Sequence, residues 1–187
     1  FTDCAITKLT IPDGVEKIGG NPFPRNMELK IKAKHPVFRY EKGVLYNKVE
    51  KELLWFSSKA NAKTFEIPKD IRRIGSGALS GLDFSSNKKF KFLDSLEEIG
   101  PYAFTRATLP PLSLPRGLKE IGIHAFSYAK GLKELTVPGG VKEIGYWSFG
   151  LNKDLERIVF EEGIEKIGNF SFYACDSLAE VVLPESL

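Results

Sequence analysis

Residues Leu135–Phe149 read LTVPGGVKEIGYWSF, and each part has a mechanical meaning. Leu135-Thr136-Val137 alternates apolar, polar, apolar, the pattern of a half-buried strand. Pro138 lacks an N–H, so the strand stops there. Val141 and Ile144, three residues apart, are expected to return to the interior on the next side of a coil. Gly145 is expected where the backbone takes a positive φ or passes close to a neighbouring coil. Phe149 is expected to plug the interior at the far edge.

The unit recurs along the chain. LTIPDGVEKIG spans Leu9–Gly19, FEIPKDIRRIG Phe65–Gly75, FKFLDSLEEIG Phe90–Gly100, LSLPRGLKEIG Leu112–Gly122 and IVFEEGIEKIG Ile158–Gly168. Leu93 and Glu161 replace the proline in two copies. Successive Ile-Gly glycines (19, 75, 100, 122, 145 and 168) lie 56, 25, 22, 23 and 23 residues apart. A period of this size marks a solenoid, in which no copy can bury its own apolar side and neighbours supply the cover. Phe104, Phe126, Phe149 and Phe172 should then stack as a column. Strand rungs are expected at 9–11, 29–31, 65–67, 90–92, 112–114, 135–137, 158–160 and 181–183.

The pattern L-x-x-L/I-x-L/V-P-x-x-V-x-x-I-G-x-x-A/S-F resembles the BspA-like, or treponeme-type, bacterial leucine-rich repeat. The resemblance covers nearly the whole chain. It implies an α/β solenoid: a right-handed horseshoe with a parallel sheet on one face and short helical or 3-10 turns opposite. It also implies a non-catalytic adhesion or binding module at a bacterial cell surface or secreted from the cell. Gly117 and Gly140 stand where ordinary leucine-rich repeats place a ladder asparagine, so no such ladder is expected.

Between Lys34 and Lys63 the period breaks. Val44-Leu45-Tyr46, a polar turn at Asn47–Lys51 and Leu53-Leu54-Trp55-Phe56 read as an inserted β-hairpin. The family has a similar longer unit with an N-P-x-F/Y…D-G-V-L-Y-N-K segment, for which His35-Pro36 and Lys42-Gly43 stand here. The irregular unit thus runs 32–64, inside a single domain of about eight rungs over 1–187. Phe1-Thr2-Asp3-Cys4 matches Phe172-Tyr173-Ala174-Cys175, so the chain reads as a segment of a longer array.

Composition agrees with a folded, water-facing protein: 187 residues, 42% hydrophobic and 27% charged. No apolar run reaches the roughly 18 residues a membrane helix requires. The net charge of +3 is unevenly spread: residues 1–93 hold 18 basic and 10 acidic residues, and residues 94–187 hold 9 and 14. Cys4 and Cys175 occupy a slot that holds Ala107 and Ala129 elsewhere, the place of a small core residue. They fall at opposite ends of the rung series and should not pair.

Chemistry is sparse. His35 and His124 show no zinc-ligand spacing, and GSGALSG at Gly75–Gly81 lacks both spacings of a phosphate loop. Glu97-Glu98, Glu161-Glu162 and Glu165 fill polar slots of the unit. The Asn169-Phe170-Ser171 sequon falls beside the packed plug, where it reads as a chance match. No catalytic residue, cofactor or metal is expected. The outward sheet face is the candidate surface for a partner: Lys8, Lys30, Lys32, Lys89 and Lys91 in the first half, with Val159 and Val182 in the last rungs. A protein or acidic glycan partner fits such a face; nucleic acid and membrane insertion are not expected, and the chain should be monomeric. A structural spacer is the alternative, as is glycan binding through hairpin aromatics such as Tyr46 and Trp55.

Overall fold

The structure is a computed structural model that describes residues 4–187. Phe1–Asp3, which the repeat alignment includes, lie outside the described residues. The strands are β1 (Lys8–Ile11), β2 (Glu28–Ile31), β3 (Phe38–Glu41), β4 (Val44–Asn47), β5 (Glu52–Phe56), β6 (Arg73–Ile74), β7 (Glu98–Ile99), β8 (Glu120–Ile121), β9 (Glu134–Val137), β10 (Glu143–Ile144), β11 (Arg157–Phe160), β12 (Lys166–Ile167) and β13 (Glu180–Val182). Parallel pairing of equivalent residues makes the repeating coils a solenoid. Leu135, Ile158 and Val181 are partners across β9, β11 and β13, and Val137 is the partner of Phe160.

The parallel sheet is not confined to the triplet side, as the repeat pattern led us to expect. The triplets form two short sheets, β1-β2 and β9-β11-β13. The longest sheet lies on the Ile-Gly side, in the order β12-β10-β8-β7-β6-β5-β4-β3. Triplets 65–67, 90–92 and 112–114 keep the in-out alternation but form no strand. A side chain of the following coil and a cluster of prolines account for this. Asn87 Nδ2 donates to the Phe65 carbonyl, which takes that acceptor from a neighbouring rung. Pro110, Pro111 and Pro115 remove donors around the third triplet.

Segments after each Ile-Gly are not helical. The one helix among the described residues is a 3-10 turn at Ala62–Thr64. Elsewhere successive i→i+3 turns follow one another, as in Ala103 N–H to Gly100 O, Thr105 N–H to Tyr102 O and Ala107 N–H to Phe104 O. A left-handed residue interrupts each run. Asn21, Gly77, Tyr102, His124, Trp147 and Phe170 occupy one column at φ between 43° and 62°. Gly81, Arg106, Tyr128, Leu151 and Ala174 form a second, at 51° to 68°. Left-handed backbone costs an L-residue about 1 kcal/mol or more, so a helix cannot propagate through it.

The repeat glycine itself is not left-handed. A Cβ on Gly100 would meet the Ile74 carbonyl oxygen at 2.8 Å, and one on Gly168 the Ile144 oxygen at 2.5 Å. Close approach of the preceding coil therefore demands glycine. Gly145→Ala would place a methyl 2.8 Å from the Ile121 oxygen and 2.7 Å from the Gly122 carbonyl carbon. Backbone cannot yield as a rotamer can, so this change is expected to cost about 2 kcal/mol or more. Gly14→Ala, with nothing within 4 Å of the new methyl, should stay within about 0.5 kcal/mol. Thermal midpoints of the two variants check the pair.

The interior holds the aromatic column. Phe104, Phe126, Phe149 and Phe172 stack nearly parallel, with centroids 5.2, 5.2 and 5.4 Å apart. In the inserted unit, β3, β4 and β5 form an antiparallel meander, and β5 joins the Ile-Gly sheet in parallel with β6. The meander is a wall between two cores. Val44, Tyr46, Leu53 and Phe56 belong to the larger core with Ile74 and Phe84. Phe38, Leu45, Leu54 and Trp55 belong to a smaller one with Ile11, Phe23, Met27 and Leu29. A register shift between Leu45 and Tyr46 accompanies this division of faces.

Candidate interaction surfaces

The hairpin offers no aromatic platform. Phe38, Tyr46, Trp55 and Phe56 are buried, Trp55 completely, and its Nε1 donates to the Phe23 carbonyl at 2.9 Å. Tyr40 lies half-buried against the Trp55 ring. Burial pushes the Tyr46 hydroxyl well above its ordinary pKa, and the Arg39 guanidinium sits 4.7 Å from its ring centre. Glycan stacking on Tyr46 or Trp55 is excluded by that packing. The histidine that replaces asparagine in this unit is structural: His35 is buried, its Nδ1 accepts from Val37 and Phe38 N–H, and its Nε2 lies 2.9 Å from the Pro12 carbonyl oxygen. That tautomer is fixed by its two backbone donors.

Lys8, Lys30, Lys32, Lys89 and Lys91 are all exposed. Lys8 and Lys30 stand on the paired strands β1 and β2, whereas 90–92 shares no ladder with them. Lys32 is paired with Asp13 and Lys89 with Glu66. Lys8, Lys30 and Lys91 make no ion pair among the described residues. Exposed pairs such as these contribute about 0–1 kcal/mol each. Val159 is half-buried, Val182 exposed, and the two are in register.

The Ile-Gly sheet carries charge in rows. Arg73, Glu98, Glu120, Glu143 and Lys166 are successive register positions, closed at the two ends by Arg73–Glu98 at 2.7 Å and Lys166–Glu143 at 2.7 Å. Burial raises the Glu98 carboxyl above its usual range against the pull of Arg73. Cys175 is partly buried and its thiol is likewise pushed up by burial; Sγ lies 3.2 Å from the Phe149 carbonyl oxygen, and Cys4 is exposed. Among the described residues no three His, Cys, Asp or Glu side chains converge as metal ligands, and no helix is long and apolar enough to cross a membrane.

A surface not anticipated from the sequence lies on the turn side. Tyr102 stacks on His124 at 4.9 Å, His124 meets Tyr146 at 5.8 Å and Trp147 at 5.7 Å. Phe170 meets both Tyr146 and Trp147, and Tyr173 closes the chain of rings 4.9 Å from Trp147. Tyr102, Tyr146, Phe170 and Tyr173 are 44–55% exposed, with Ile123 and Tyr128 beside them at 43–44%. Exposed aromatic rings in contact over four coils make this a candidate interaction surface. Gly150 makes room for it, since a Cβ there would strike Trp147 at 2.6 Å. The signal in the sequence was an aromatic or histidine two residues after four successive repeat glycines.

The model of the BspA type leucine rich repeat region matches residues 1–47, 48–150 and 83–187 in six copies. The chain belongs to this family. The BspA-type repeat domain is also similar in structure to the pneumococcal vaccine antigen PcpA, at 27% identity and TM-score 0.70, over 96% of this chain and 46% of that one. A leucine rich cell surface protein from Faecalibacterium prausnitzii is 25% identical with TM-score 0.73, over 95% of this chain and 48% of its own. A leucine-rich repeat protein from Eubacterium ventriosum, 20% identical with TM-score 0.59 over 96% of this chain and 49% of that one, shares the fold. The chain spans about half the length of these solved structures. No curated protein sequence matches it.

Proposed function

We propose that the chain is a non-catalytic binding module of a bacterial cell-surface or secreted protein, used for adhesion to another macromolecule. The observation that carries this reading is the exposed chain of rings from Tyr102 to Tyr173, displayed on a stack whose interior is closed. A spacer has no use for half-exposed aromatics on four consecutive coils. The likeness to a vaccine antigen and a cell surface protein supports the extracellular setting. Within the same proposal, Lys8, Lys30 and Lys91, with Lys32 and Lys89, offer contacts to anionic groups of the partner.

The test is to immobilise the 187-residue chain and measure its binding to extracellular-matrix proteins and sulfated glycans at low and moderate salt. Saturable binding is expected to at least one protein. Failure to bind any of them, or any cell surface, would return the chain to the role of a spacer. Changing Lys30, Lys32, Lys89 and Lys91 together to Ser should weaken binding at low salt and flatten its salt dependence. If both are unchanged, the lysines take no part.

A further inference from the structure

We infer that the aromatic ridge seats a proline-rich polypeptide segment of the partner, in polyproline II conformation along the solenoid axis. This rests on the binding reading above and names its site and ligand. Four observations lead to it. First, Tyr102, His124, Trp147 and Phe170 hold a left-handed backbone slot that Gly77 and Asn21 fill elsewhere. The second column holds Arg106, Tyr128 and Leu151 in the same region, so the slot is a property of the coil, and in the ridge it displays the exposed rings of Tyr102 and Phe170. Second, the ridge runs across four consecutive coils and is notched. His124 and Tyr146, Tyr146 and Phe170, and Phe170 and Tyr173 meet at 76°, 86° and 77°.

Third, the charge beside it is mixed in sign. A shallow concavity of about 370 Å³ beside Ile123 is edged by Glu120 and Glu143, and one of about 600 Å³ beside Tyr128 by Arg106, Lys130 and Lys153 with Asp154. An anionic polymer, such as a nucleic acid or a sulfated glycan, is repelled by Glu120 and Glu143, whereas an uncharged polypeptide is not.

Fourth, the backbone beneath the ridge is closed. Tyr102, His124 and Trp147 N–H groups donate to Ile123, Tyr146 and Asn169 carbonyls of the next coil. An added β-strand would find no free ladder there. A polyproline II segment needs none, since it has no main-chain ladder and docks through rings and notches. The spacing agrees: two coils advance by about 9.6 Å at the usual strand separation, and one polyproline II turn of three residues by about 9.3 Å. Alternate coils therefore meet equivalent faces of the ligand.

Tryptophan fluorescence gives a local readout. Trp55 is fully buried in the smaller core, so a change on titration reports Trp147. The wild-type chain is titrated with a twelve-residue oligoproline, a Gly-Ser peptide of equal length and a sulfated oligosaccharide, and the same titrations are followed by calorimetry. Oligoproline should bind saturably with a fluorescence change, and the other two should not. Tyr146→Ser with Phe170→Ser should weaken binding about tenfold or more, as loss of anchoring aromatics does, at an unchanged thermal midpoint. Tyr102→Ser alone, at the far end of the ridge, repeats the test should the double variant unfold. Equal affinity in a folded variant places the site elsewhere. Equal binding of Gly-Ser or of the sulfated sugar overturns the ligand class. A chain that captures a matrix protein but ignores oligoproline refutes this inference and leaves the binding reading standing.

Discussion

Ile144→Asp is expected to destabilise the chain by several kcal/mol, enough to unfold most of it at ambient temperature. Ile144 is fully buried, and its neighbours in register are Ile121 and Ile167. The new carboxylate would have no partner inside the coil, and apolar contact would be lost on both sides. Two positions earlier, Lys142 is exposed, pairs with Glu165 at 3.3 Å and donates to the Gly163 carbonyl. Lys142→Asp should therefore cost only about 1 kcal/mol or less. A denaturant titration of both variants checks the contrast, and equal midpoints would put the in-out phase in error. The Ile144→Asp penalty should also depend on pH. Burial raises a carboxyl's folded pKa above its unfolded value of about 3.9. The folded state then binds the extra proton, so the variant's deficit relative to wild type is smallest near pH 4 and grows as pH rises towards neutrality.

Trp55→Ala is the second large effect, expected at about 3–5 kcal/mol from lost burial and the cavity left behind. The indole is fully buried, meets Phe23 edge-on at 5.7 Å and lies 6.3 Å from Tyr40. Its loss also strands the Phe23 carbonyl that accepts from Nε1. The damage should concentrate in the smaller core with Leu29, Phe38 and Leu45. Hydrogen exchange should show amides of β1 and β2 losing protection well before those of β9 and β11. Uniform loss across all four strands would show that the meander does not divide the interior.

The coil was legible because its rules are local. Period, strand-ending proline and alternating triplets fixed the direction of pairing, and the four phenylalanines stack as their spacing requires. The hairpin was legible from β-branched and aromatic runs around a polar turn. What failed were judgements that depend on neighbouring coils. Whether 65–67 becomes a strand is decided by Asn87, a residue 22 positions downstream of the Phe65 carbonyl it takes. Two-residue strands such as Arg73–Ile74 are too short to show periodicity, yet they align into the longest sheet. The ridge was missed for a different reason. Ligand spacing along the chain says nothing of His124, whose meaning comes from Tyr102 and Trp147 on adjacent coils. Phe170, taken for a neighbour of the plug, faces outward.

The left-handed slot separates two duties that most positions in a protein share. Its amide is engaged to the next coil whether the residue is Gly77, Tyr102, His124 or Trp147. Its side chain takes no part in that bond. The array can therefore change its outer face with little change beneath it, a bulky choice such as Trp147 needing only the room that Gly150 leaves. Such a slot is an alphabet whose letters can be exchanged with little redesign of the protein beneath them.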